Sequence, residues 1–223
     1  MNLDQLAEAL AEHGLSLRGG FDFGTDDDTP PGPSGRGARS IVLVGNAGGA
    51  FWPHFSRWRA ALPADLADPL DSWCQDVIGA VAPTFSARAV FPSDRPFLPF
   101  QRWAMRAEGL RPSPLGVLIH PAFGLWHAYR GALLFDEAIP LDPVRASNHP
   151  CDACIGKPCL SACPAGAVKE ERYDHDACRS HVRSASGPSC RTKGCLARQA
   201  CPVGAAWRYG EEQQAFHMAA FVR

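Results

Sequence analysis

Apolar residues recur at helical spacing at the start of the chain, where Leu3, Leu6, Leu10 and Leu15 fall near one face and Gly19 and Gly20 follow as a stop. This predicts a first helix. The stretch GTDDDTPPGPSGRGARS then mixes acidic residues with Pro, Gly and Ser and reads as an exposed loop. Ile41–Val44 is a continuous apolar run ending at Gly45, the pattern of a strand buried on both faces. The following GNAGG fits neither a dinucleotide fingerprint nor a Walker A loop, and reads as a strand-to-helix turn. Residues 68–81 predict a helix with Asp68 as N-cap and Pro69 at its first position, burying Leu70, Trp73, Val77 and Ile78, with Cys74 an inert core thiol. FQRWAMRAEGL predicts another helix. Leu115–Ile119 and Tyr129–Phe135 read as two strands forming a hairpin across a turn that holds His120, Pro121 and Gly124. The last segment, EEQQAFHMAAFVR, predicts a helix with an apolar stripe of Phe216, Ala219, Ala220 and Val222.

The composition of IPLDPVRASNHP marks a boundary, giving an α+β domain over residues 1–148, a cysteine-rich unit over 149–208, and a C-terminal helix over 209–223 that packs back on the first domain. At 223 residues the chain has room for one ordinary core and a smaller unit. A net charge of −1 provides no cationic field for nucleic acid or an anionic membrane surface, so neither is expected as a partner. No run approaches the roughly 18 apolar residues of a membrane span, and the acidic amphipathic start lacks the features of a signal peptide, which implies a cytoplasmic protein.

Chemistry concentrates in the cysteines. Eight of the nine fall between Cys151 and Cys201, as Cys151, Cys154, Cys159 and Cys163 followed by Pro164, then Cys178, Cys190, Cys195 and Cys201 followed by Pro202. Both groups end in Cys-Pro-x-Gly-Ala, a weak two-fold echo. Disulfides suit an even count but not a reducing compartment. Zinc could take the thiols in two tetrahedral sites. Iron–sulfur clusters want a short loop with several thiolates and a remote cysteine before Pro to close the site. The run C-x2-C-x4-C-x3-C-P is two residues longer than the commoner bacterial one, with Lys157 and Pro158 assigned to the lengthened turn. In two-cluster ferredoxins the fourth cysteine of the run serves the other cluster. Applied here, that gives one [4Fe-4S] cluster to Cys151, Cys154, Cys159 and Cys201 and a second to Cys163, Cys178, Cys190 and Cys195. A single cluster with unused cysteines is the alternative. Ala162, Gly166 and Gly204 are small residues that would leave backbone N–H groups free to bond sulfur.

Residues 116–135, GVLIHPAFGLWHAYRGALLF, resemble the signature of the cobalamin-processing CblC family at His120, Pro121, Phe123, Gly124, Trp126, Ala128, Arg130 and Gly131. DPLDSWCQDVIGAV and YGEEQQAF are similar to two further segments of that family, in the same order. The cysteine unit, with its Tyr173-Asp174-x-x-x-Cys178 element, is similar to the two-cluster module of epoxyqueuosine reductase and reductive dehalogenases. Together these resemblances imply a nitroreductase-like, CblC-type α+β fold with an inserted bacterial ferredoxin-like 2[4Fe-4S] unit. They also imply a cobalamin, bound base-off because no Asp-x-His-x-x-Gly motif occurs. By the same resemblance Arg130 takes the place that contacts a glutathione-like thiol, and Trp126 packs on the corrin or substrate. Phe91 stands where the family has a His, which takes one corrin contact out of the comparison.

The function these features imply is an oxidoreductase that carries electrons from a donor protein or small-molecule reductant through its clusters to a corrinoid, as cobalamin processing or corrinoid-dependent reduction. Two other readings stand beside it: an electron-transfer protein with no corrinoid, and a structural zinc-binding module.

Overall fold

The computed structural model describes residues 2–144 and 148–223. Residues 145–147 of the expected boundary loop lie outside the described residues. The elements in chain order are α1 (Leu3–Ala11), β1 (Ser16–Asp22), β2 (Ser40–Ala47), α2 (Trp52–Ala60), α3 (Pro69–Val81), β3 (Arg88–Val90), α4 (Phe100–Glu108), β4 (Arg111–Pro112), β5 (Leu118–Ile119) and β6 (His127–Phe135). Five helices follow: α5 (Pro158–Ser161), α6 (His175–Arg183), α7 (Pro188–Lys193), α8 (Leu196–Gln199) and α9 (Glu211–Phe221). The chain is a mixed α+β protein of two units. One comprises Met1–Gly109 with Ala128–Ala146, the other Leu110–His127 with Ser147–Arg223.

The first unit is built on a four-stranded sheet in the order β1-β2-β6-β3. β1 runs antiparallel to β2, from Ser16 opposite Gly45 to Asp22 opposite Ser40, and β3 antiparallel to β6. β2 is buried along nearly its whole length, as its unbroken apolar run requires of a central strand. Leu6 and Leu10 of α1, Phe51 and Phe55, and Trp73 and Ile78 of α3 are buried with it in this unit's core. Asn2 caps α1 by accepting from the Asp4 and Gln5 N–H groups. Asp68 stands at the N-cap of α3 as expected, but in a left-handed conformation (φ 44°) and without a side-chain capping bond.

Three expectations change. Gly19 and Gly20 do not end a helix. They lie inside β1, a strand the glycine pair concealed, where the register with β2 shifts between Leu17 and Gly20. Leu118–Ile119 and His127–Phe135 do not form a hairpin: β5 pairs with β4 in a separate two-stranded sheet, while β6 belongs to the large one. The turn between them closes on itself instead, through reciprocal backbone bonds of His120 and Gly124 at 2.9 and 2.8 Å. The C-terminal helix α9 clusters with the second unit and packs on α7, where the sequence reading placed it on the first domain. Its buried residues are Gln213 and Gln214 rather than the apolar stripe, with Ala219 and Ala220 exposed.

Candidate functional site

The second unit holds the eight clustered cysteines, and local structure explains where each falls. Gly156 (φ 74°) and Lys157 (φ 36°) adopt successive left-handed conformations, which form the lengthened turn after Cys154. Pro158 then starts α5, which carries Cys159. Tyr173 is bridged in antiparallel fashion to Val168, and Asp174 caps α6 by accepting from the Ala177 N–H at 3.0 Å. The cap sets Cys178 one turn into that helix. Cys190 lies on α7, Cys195 at the start of α8, and Cys201 just beyond it.

Sulfur neighbours divide into two sets. The Cys151 thiol is pushed up to about 11, first by burial and then by the sulfurs of Cys201, Cys159 and Cys154. Cys159 is raised by burial and by Cys201 and Cys154, and Cys201 by burial and by Cys154. On the other side, burial raises Cys178, Cys190 and Cys195, each with a contribution from Cys163. No sulfur of one set appears among the groups that shift a thiol of the other. A single enclosed, apolar cavity is lined by all four of Cys151, Cys154, Cys159 and Cys201, with Leu115, Ile119 and Leu125 among the walls. Among the described residues no three His, Cys, Asp or Glu side chains converge closely enough to hold one metal ion.

Hydrogen-bond donors face the sulfurs. Backbone N–H groups of Cys159 and Leu160 serve Cys159, that of Val203 serves Cys201, that of Leu196 serves Cys190 and that of Arg198 serves Cys195. Burial raises the Cys178 thiol, and the neighbouring Tyr173 hydroxyl opposes this. Each such bond favours the thiolate that a metal cluster requires. Ala162 and Gly166, proposed from sequence as donors, instead bond the carbonyls of Pro158 and Cys163. Gly204 serves close backbone packing: a β-carbon there would lie 2.2 Å from the Phe123 carbonyl carbon. Both sulfur sets share one apolar shell, in which Leu115, Ile119, Leu125, Val168 and Ala197 are buried against Cys151, Cys159, Cys163, Cys195 and Cys201. Beyond it Ile155, 98% exposed, marks the tip of the Cys151–Cys159 loop, and an open cavity of about 600 Å³ borders both Cys151 and Tyr173.

Trp126 also belongs to this unit. It is fully buried, with the Arg198 guanidinium 4.5 Å from its ring centre and the Tyr209 ring edge-on at 5.4 Å. That places it among packing residues, held by Arg198 and Tyr209. Arg198 bonds the Leu125 carbonyl through Nε and Nη2, which fixes the stack. His120, another residue of the signature, is structural: its Nδ1 accepts from the N–H groups of Ala122 and Phe123.

Arg130 is on β6 in the first unit. Its Nε donates to Asn46 Oδ1 at 2.9 Å, and its guanidinium carbon lies 5.0 Å from the centre of the Phe51 ring. Among the described residues its terminal nitrogens make no hydrogen bond or ion pair. Burial raises the Asp71 carboxyl, Asp68 adds to this, and Arg130 opposes it. Asn46, fully buried, is held by its own Nδ2 bond to the Gly48 carbonyl, while its backbone carbonyl accepts from Arg18. Arg18 in turn forms a buried two-pronged pair with Glu108, which also accepts from the Tyr129 hydroxyl. Asn46 was concealed in the sequence inside GNAGG, where spacing showed only a turn.

No protein-family model matches the chain, and no curated protein sequence matches it. Solved structures do. Epoxyqueuosine reductase from Streptococcus thermophilus is similar at a TM-score of 0.55 and 15% identity, over 92% of this chain and 66% of that one. The chain thus spans about two thirds of the length of that enzyme. An epoxyqueuosine reductase bound to a modified tRNA stem loop is similar at a TM-score of 0.51 and 17% identity, over 96% and 69%. The B12-trafficking protein CblC of C. elegans is similar at a TM-score of 0.53 and 12% identity, over 97% and 91%. The chain therefore shares its fold with both the epoxyqueuosine reductases and CblC.

Proposed function

We propose that the chain is an iron–sulfur redox protein that delivers electrons to a bound corrinoid. The observation that carries the reading is the division of eight cysteines into two interlocked sets, Cys151, Cys154, Cys159 and Cys201 against Cys163, Cys178, Cys190 and Cys195. The donor set fits two [4Fe-4S] clusters: soft thiolates only, an apolar surround, and N–H groups aimed at sulfur. When bound, such clusters exchange single electrons, and the residues of this unit hold them, exclude water with Leu115, Ile119 and Leu125, and donate hydrogen bonds to them.

For the corrinoid, the support is the shared fold with proteins named for epoxyqueuosine reduction and for B12 trafficking. Arg130 offers its terminal guanidinium nitrogens to an anionic group, such as the carboxylate of a glutathione-like thiol, while Asn46 holds Nε. Reductive removal of the upper cobalt ligand would use these parts. Because one structure of this fold holds a tRNA stem loop, an overall charge of −1 is not sufficient ground for leaving nucleic acid out.

Anaerobic reconstitution followed by iron and acid-labile sulfide analysis tests the clusters, and a spectrophotometric cobalamin titration tests the corrinoid. About eight irons and eight sulfides per chain, together with a base-off spectral change, are expected for two cubane clusters. Clusters without any cobalamin response would leave a plain electron-transfer protein, and zinc without sulfide would reject the whole reading.

A further inference from the structure

The segment Arg179-Ser180-His181-Val182-Arg183-Ser184 repeats an Arg-Ser pair at a spacing of four, which on a helix puts both pairs on one face. At the end of α6 all four residues, Arg179, Ser180, Arg183 and Ser184, line one open cavity of about 500 Å³ in the second unit, together with Asp176. Like charges one turn apart repel each other. Among the described residues neither arginine forms an ion pair that would relieve this. Asp176 has a fully exposed side chain, 3.6 Å from His175 Nδ1, where water and salt screen it. The helix dipole accounts for Arg183, which lies in the last turn of α6, but not for Arg179 a turn earlier.

Both guanidinium groups are held in place along one edge. Arg183 donates Nε to the Val222 carbonyl at 3.0 Å and Nη2 to the Val222 and Arg223 carbonyls, the latter at 3.3 Å, while Arg179 donates Nη2 to the Arg223 carbonyl. The Val222 carbonyl is neutral, so it fixes Arg183 without cancelling its charge. Among the described residues Nη1 of each arginine makes no hydrogen bond, and Arg179 Nε is buried without a partner. Ser180 is exposed and its hydroxyl makes no hydrogen bond among the described residues, whereas Ser184 Oγ is engaged by the His181 carbonyl at 2.7 Å and by Ser186.

We infer that Arg179, Ser180 and Arg183 form a binding site for a phosphate group, separate from the cysteine sets and from Arg130. Guanidinium forks already fixed on one edge present their remaining N–H donors at little further cost in side-chain entropy, and the Ser180 hydroxyl adds a donor from the same face. Phosphate suits these donors better than a carboxylate does, because its three outer oxygens can accept from all three side chains while a carboxylate has two. The cavity is larger than a lone phosphate needs, which leaves room for the organic group that carries it. A small phosphorylated molecule and a nucleic-acid backbone both supply that chemistry.

The test is isothermal titration calorimetry of the intact chain with inorganic phosphate, repeated with a single-stranded oligonucleotide that has no terminal phosphate. Saturable binding of inorganic phosphate is expected, weakened about 10- to 100-fold in Arg183→Gln and about 2- to 10-fold in Ser180→Ala, the lost ionic donor weighing more than the lost hydroxyl. Oligonucleotide binding with the same response to both variants assigns the phosphodiester backbone as the source, and binding of inorganic phosphate alone assigns a small phosphorylated ligand. No saturable phosphate binding by the native chain, or equal affinity in the native chain and both variants, overturns the inference. Where Arg183→Gln loosens the chain because the Val222 contact goes with the charge, Ser180→Ala decides alone: an affinity equal to the native one overturns the site.

Discussion

Gly124 and Gly204 meet backbone to backbone with no room for a side chain on either. Both have positive φ, 57° and 69°, and a β-carbon at Gly124 would fall 1.9 Å from the Val203 carbonyl oxygen, while one at Gly204 would fall 2.4 Å from the Gly124 nitrogen. The contact joins the HPAFG turn to the CPVG turn that follows Cys201. Two motifs that look independent in the sequence therefore form one joint. Gly204→Ala meets both backbone strain and a clash that no flexible side chain can relieve, which should cost roughly 2–4 kcal/mol. Chemical denaturation of the metal-free chain measures the loss. Since Val203 donates to Cys201, the same variant should also retain less iron after reconstitution.

Cys74 supplies a pH signature in the first unit. It is 2% exposed, and burial lifts its thiol to about 11 from an ordinary 9, against the opposing pull of Arg130. A raised pKa means that the folded state keeps its proton when the unfolded state has lost it. The contribution is complete below pH 9 and disappears as pH rises from about 9 to about 11. Two units correspond to roughly 2–3 kcal/mol. Tyr129, raised by burial and by Glu108, adds its own decline at the alkaline end. Urea denaturation at pH 8 and pH 11 should therefore show a smaller alkaline loss in Cys74→Ala than in the native chain. Equal losses would mean that the thiol opens to solvent in the folded protein.

Cysteine spacing marked out the second unit, which gathers all eight of the clustered cysteines. The continuous run Ile41–Val44 likewise announced a central strand. What stayed hidden was pairing. The apolar patterns of Leu118–Ile119 and His127–Phe135 report which faces are buried but not which neighbour buries them, so a hairpin and two separate sheets looked alike. Asn46 and Arg198 were invisible for a different reason: their roles come from contacts with Arg130 and Leu125, 84 and 73 residues distant. The glycine pair in β1 hid a strand because glycine carries no side chain to show alternation.

Under the proposed function, Arg130 would meet the thiol while Asn46 holds its Nε at 2.9 Å. Arg130→Ala removes a charge-assisted contact of about 1.5–3 kcal/mol, so removal of the upper ligand from a bound cobalamin by a glutathione-like thiol should slow by about 10- to 100-fold. Asn46→Ala keeps the charge, and the backbone carbonyl that Arg18 uses, but frees Nε. A smaller loss is expected there, mainly in the apparent affinity for the thiol. Both variants should keep their full iron content. An unchanged rate in Arg130→Ala would remove its assigned role without touching the clusters.

The interlocked assignment makes a prediction that a sequence-local one reverses. If each run of four cysteines held its own cluster, Cys163→Ala would damage the same site as Cys151→Ala. The proposed division follows the electrostatics: Cys163 adds to the raised thiols of Cys178, Cys190 and Cys195, while Cys201, Cys159 and Cys154 add to that of Cys151. Each single variant should therefore lose about half of the iron and sulfide, and the double variant Cys151→Ala with Cys163→Ala nearly all of it. Cys151→Ala with Cys201→Ala, both from one set, should still retain about half, even though fifty positions separate the two residues in the sequence. Near-complete loss in that second pair, or retention of half in the first, would return the fourth cysteine of each run to its own neighbours.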